Sequence, residues 1–122
     1  MNNKIKARLI FNFMNKISKH DYQYLIENEK AICKRLSINK YTTMKIFRML
    51  KYKWHNWKST DMEKYFRPTT LFNSMHFDEY YQQVDYVWKK EKESWRWYWE
   101  NKIRNPKVIE DVKVKIRELY GK

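Results

Sequence analysis

Lys45, Arg48, Tyr52, His55 and Lys58 recur every three or four residues, the spacing that sets side chains on one side of a helix. Lys51 and Lys53 flank that side, and Lys34 and Arg35 lie a short way upstream. Lysine and arginine on such a face neutralise phosphates, and Tyr52 among them can stack on an exposed base. A second set lies in WRWYW, residues 95–99, followed by Lys102 and Arg104. With Trp95, Trp99 and Ile103 packed inward, Trp97 points outward beside Arg96. An exposed ring among Arg96, Lys102 and Arg104 suits stacking on bases or docking to a partner protein. The plainer reading of the positive charge is solubility alone, and of the second set, rings covered by the last helix.

Catalytic chemistry finds no comparable support. His20, His55 and His76 lie far apart and make no ligand pair at helical spacing, and Cys33 is the one cysteine. A structural zinc site is therefore not expected. His76 stands close to Asp78 and Glu79, but neighbouring carboxylates on a helix point to different faces. They read as favourable charge in a first helical turn. A single glycine cannot build a phosphate-cradling loop, and nothing positions a nucleophile against a base. The expectation is a protein that is not an enzyme, with no metal and no cofactor. Cys33 reads as a small buried hydrophobe.

The elements that must hold these residues are helices. With one glycine and two prolines, turn chemistry is scarce, while apolar residues recur at helical period along nearly the whole chain. The expected class is all-α: a compact small helical domain with an additional C-terminal helical hairpin. Residues 1–60 carry 14 Lys/Arg against 3 Asp/Glu, and residues 61–122 carry 13 against 11. An excess so one-sided points to a polyanionic partner for the first half.

The first helix is expected over 3–18, with Ile5, Leu9, Phe13 and Ile17 inward. Asp21 is placed to cap a short helix with Tyr22, Leu25 and Ile26 inward, and the next helix starts near Asn28. Thr42 or Thr43 caps a third helix, 43–57, whose inward stripe is Phe47, Leu50, Trp54 and Trp57. The short helix and turn before it make a helix-turn-helix thinkable, although the turn lacks its usual glycine. Thr60 and Glu63 form a capping-box pattern. Pro68 is expected to end the turn that follows, and Arg67 to pair with Asp61 or Glu63. Ser74 should open a long helix with Phe77, Tyr81, Val84 and Trp88 inward, crossing the apolar-free run Lys89–Ser94 or breaking there. Asn105-Pro106 starts the last helix, with Ile109, Val112, Ile116 and Leu119 inward and Gly121 at its end.

The string running from Trp57 through DMEKYFRPTTLF to Phe77 and Tyr80 resembles the conserved phage C-terminal domain, a module at the tails of phage replisome-organiser and DnaD-like replication proteins. Met14-Asn15 stands where that family has Leu-Asn, and Ile32, Arg35 and Leu36 match its I-x-x-R-L. Tyr41, Phe47, Lys53 and Trp57 follow at about the family spacing, with one extra residue between Leu36 and Tyr41. The resemblance covers about residues 5–82 and divides the chain into a replication-type module, 1–83, and a basic, Trp-rich extension, 84–122, packed as one domain. It implies a small phage protein acting in DNA replication or its control. The partner would be DNA or a nucleic-acid-loaded complex, including a host replication protein. A rival of another class is a phage inhibitor of a host or defence nucleic-acid enzyme, for example an anti-CRISPR. No signal peptide and no apolar run of membrane-spanning length is visible. The expected location is the cytoplasm of the bacterial host.

Overall fold

Helix α1, Asn3–Ser18, is the element on which the others rest. In the computed structural model, which describes residues 2–84 and 93–120, it packs against α2, α3 and α7. That is why its apolar residues exceed a single stripe. Ile5, Ala7, Leu9, Ile10, Phe11, Phe13 and Met14 are all buried, while Asn12 and Lys16 stay exposed. Asn2 caps it, its side-chain oxygen accepting from the Ile5 amide at 2.9 Å. Lys19 ends it in the left-handed region at φ 58°, where glycine would be the unstrained choice.

Residues 21–25 form no regular secondary structure, not the short helix expected from Asp21, and Leu25 at their end is extended. The Asn15 amide explains it, donating to the Tyr22 carbonyl at 3.0 Å and accepting from the Tyr22 amide at 3.2 Å. One side chain thus supplies both partners that a strand neighbour would. Leu25 and Ile26, expected inward, are exposed. α2, Ile26–Leu36, begins two residues before Asn28 and buries Ile32 and Glu29. Cys33 is half-buried, its thiol on the Asn3 carbonyl, and burial holds its pKa above the usual range.

Thr42 caps α3, Thr43–Trp57, through the Lys45 amide. Ile46, Phe47, Met49 and Leu50 have no exposed surface. α2 and α3 make their main contacts with α1 rather than with each other, unlike the paired helices of a helix-turn-helix.

The aromatic corner follows. Thr60 Oγ1 donates to the Trp57 carbonyl and accepts from the Met62 amide. Glu63 takes the Ser59 amide, one residue before the expected cap, and the product is a single 3-10 turn, Glu63–Tyr65. Arg67 is extended, as the residue before proline must be. Pro68 then opens the short helix α4, Pro68–Leu71, besides ending the preceding turn. Arg67 donates to Thr70 Oγ1 rather than to Asp61 or Glu63. Asn73, not Ser74, leads into α5, Phe77–Gln83: its side chain accepts from Met75, and its carbonyl accepts from His76 and Phe77. The rings of Tyr41, Phe72, Phe77 and Tyr81 meet here at centroid distances of 4.7 to 6.1 Å. Asp78, in the first turn of α5, accepts from Tyr41 and pairs with Lys40. Trp88, most of the charged run 89–94 and Gly121 lie outside the described residues.

Residues 93–98 are α-helical and pass into a π-helical turn, Trp99–Ile103; together they are α6. The last helix, α7, is Pro106–Tyr120, its first turn capped by Asn105 on the Lys107 amide. α7 buries Val112, with Ile109 and Ile116 partly buried against the core. Leu119, expected inward, is exposed, and the contact at this end of the helix is made by the neighbouring Tyr120. The Tyr120 hydroxyl donates to the Glu29 carboxylate, and the Lys4 ammonium sits 4.2 Å from the Tyr120 ring centre. Glu29 is buried, and loss of water raises its pKa. All described secondary structure is helical, so the chain is all-α.

Candidate nucleic-acid interface

α3 lies between two neighbours, and they divide its cations. On the α5 side, Lys53 is 6% exposed; its ammonium lies 4.2 Å from the Tyr80 ring centre and 5.4 Å from Trp57, and donates to Gln83 Oε1. Desolvation lowers its pKa, with Glu79 pulling the other way. On the α6 side, Phe47 packs on Trp99 and Lys51 stands over Trp95, so α6 lies across the face of α3 that carries these two residues. Arg48 is 3% exposed. The expected surface roles of Lys53 and Arg48 are therefore corrected: both are inside. The periodicity of α3 could not show this, because the covering helices come from elsewhere in the chain.

The remaining expected residues are scattered. Lys45 is half-buried with its ammonium 5.3 Å from the Tyr81 ring centre. Tyr52 is packed against the core, so its ring is not the open stacking surface expected of it. Lys34 and Lys58 are exposed and Arg35 is half-buried; none of the three lines the clefts described below. Lys51 is exposed and does line one of them.

Two shallow clefts meet at Tyr98. The larger, about 340 Å³, is lined by Lys51, Ser94, Trp95, Trp97 and Tyr98. The smaller, about 190 Å³, runs along α1 and includes Asn12, Phe13, Lys16, Tyr98 and Lys102. Tyr98 is held edge-on by Trp95 at 5.6 Å and Phe13 at 6.3 Å. Burial raises its pKa, so it remains a neutral phenol able to donate a hydrogen bond. Trp97 is 58% exposed, with Arg96 exposed beside it. Trp95 and Ile103 are buried and Trp99 is packed on Phe47, which leaves Trp97 as the outward ring of the set. Arg104 is exposed but belongs to a different groove, with Asn2, Ile5, Ile109 and Lys113. It is not brought to Trp97.

The two clefts place lysines on either side of an aromatic centre: Lys51 toward Trp95, and Lys16 and Lys102 beyond Tyr98. Such an arrangement can neutralise phosphates while a planar group rests on a ring. Lys16 was not among the sequence candidates. Its signal was only a place on the outer side of α1 next to Asn12. Among the described residues no group of three or more His, Cys, Asp or Glu could hold a metal ion, and no helix is long and apolar enough to cross a membrane.

Residues 10–82 match the model of the family described as the conserved phage C-terminus. The match runs from within α1 into the last turn of α5, starting later than the expected residue 5 and leaving out α6 and α7. No curated protein and no solved structure matches the chain. The chain belongs to the conserved phage C-terminus family.

Proposed function

From this family membership and the geometry at Tyr98, we propose that the chain is a small phage-encoded nucleic-acid-binding protein acting in phage DNA replication or its control. It works in the host cytoplasm and catalyses no reaction. The observation that carries the reading is the pair of clefts joined at Tyr98, with an open indole at Trp97 and lysines 16, 51 and 102 around it. The formal net charge of +13 supports it, since a polyanion is drawn to such a chain before any specific contact forms.

A salt titration of binding to plain DNA tests it. Affinity should fall steeply with salt, and removing Lys16, Lys51 or Lys102 should each reduce the slope of log K against log salt by roughly 0.7–0.9. Absence of binding to any DNA at low salt would overturn the reading. The exposure of Trp97 beside Arg96 also suits a protein hot spot. A protein partner, as in an inhibitor of a host or defence nucleic-acid enzyme, then becomes the better account.

A further inference from the structure

We infer that the clefts at Tyr98 take an unpaired stretch of nucleic acid, with a base on Trp97 and the sugar–phosphate strand passing from Lys51 across Tyr98 to Lys16 and Lys102. This rests on the nucleic-acid reading and deepens it by naming the class of strand.

Three features favour a single strand over a duplex. The aromatic surface on offer is a ring, Trp97, that is 58% exposed, with the half-buried Tyr98 beside it. In a duplex the base faces are stacked away, so only an unpaired base can use the face of an indole. Duplex reading by a helix also needs that helix to enter a groove with an open row of side chains. α3 cannot do so along its length, because Arg48 is buried and α6 packs across it through Trp99 on Phe47 and Trp95 under Lys51. The cations around the clefts, finally, come from three helices: Lys16 from α1, Lys51 from α3 and Lys102 from α6. They surround a concave seam, a shape that a flexible strand can follow and a rigid cylinder cannot.

The neutral phenol of Tyr98 lies where both clefts meet and can donate to a phosphate oxygen between two stacked or splayed nucleotides. Asn12, in the smaller cleft, adds an amide that can pair with a base edge or a phosphate.

The experiment uses the full chain at low salt with labelled oligo(dT), oligo(rU) and a mixed-sequence duplex of equal length, following fluorescence anisotropy and indole emission. Expected is binding to at least one of the single strands about tenfold or more tighter than to the duplex, with quenching of tryptophan emission. The two homopolymers separate DNA from RNA as the strand held. Trp97→Ala should weaken single-strand binding about five- to a hundredfold while duplex binding and helicity stay unchanged, and Trp97→Phe should recover most of the loss. Duplex binding as tight as or tighter than single-strand binding overturns the inference and leaves the nucleic-acid reading standing. So does a Trp97→Ala variant with undiminished single-strand affinity. Failure to bind any of the three overturns both.

Discussion

Lys51 and Lys53 stand two residues apart on one helix and meet opposite surroundings. Lys53 turns toward α5 and is enclosed by Tyr80, Trp57 and Gln83. Lys51 turns toward α6, stays exposed over Trp95 and faces an open cleft. In a chain with 18% aromatic residues a cation is often a packing element. Arg8 over Tyr24 and Lys4 over Tyr120 repeat the theme. Formal charge along the sequence therefore overstates the charge that a ligand meets. The first half holds most of the excess, yet the proposed site lies on its seam with the near-neutral second half.

The contrast can be broken most forcefully at Lys53. Lys53→Glu would put an anion among the same rings near Glu79, and we expect a loss of about 3–5 kcal/mol in denaturant unfolding. Lys53→Met, which keeps the stem and removes the charge, should change stability by no more than roughly 1 kcal/mol in either direction. It should also leave the salt slope of DNA binding unchanged. A slope lowered by one in Lys53→Met would mean that Lys53 reaches phosphate and that the two lysines do not differ.

On the other side of the helix, Lys51→Ala should lower both affinity and salt slope, the slope by roughly 0.7–0.9. Lys30→Ala, on exposed α2 surface away from the clefts, should weaken binding less. Equal effects would mean that charge acts only in bulk and that the clefts are not the site.

The attachment of α7 to the body gives a pH test. Burial raises the pKa of Glu29 above its ordinary 4.5, so between that value and the raised one the folded chain holds a proton that the unfolded chain has lost. Stability contributed by this group is complete below pH 4.5, falls as pH rises through that window, and is level above it. Thermal unfolding of Glu29→Gln should lack this decline. An identical pH profile in the variant would show that Glu29 is not the group responsible.

The smallest expected effect is at Lys19, exposed and left-handed at the end of α1. Lys19→Gly should raise stability by about 0.5–1 kcal/mol, because glycine takes that conformation without penalty. It also removes a cation from the body, and the salt slope should barely move. A slope lowered as much as in Lys51→Ala would place Lys19 in the interface.

Local signals were legible. The bounds of α1 and α3, and the start of α7 at Asn105-Pro106, follow from stripes and caps confined to a turn or two. Helical phase offered an outward Trp97 as one of two readings, the other being rings covered by the last helix, and the structure decides for the first. The misreadings have a common origin. The non-helical run after Asp21 depends on Asn15, seven residues from Tyr22, and the enclosure of Lys53 involves Gln83, thirty residues away. Lys16 joins the site only because α6 settles beside α1.

The amino-acid order by itself determined an all-α chain, the span of its main helices, its family and its excess of positive charge. Those depend on propensity, periodicity and composition, which act over a few residues or are simple sums. Only the tertiary structure decided which cations are enclosed and which remain open, since that depends on which distant helix lies across each face. Desolvation by a neighbour, not position in a repeat, assigns a lysine to the core or to the surface.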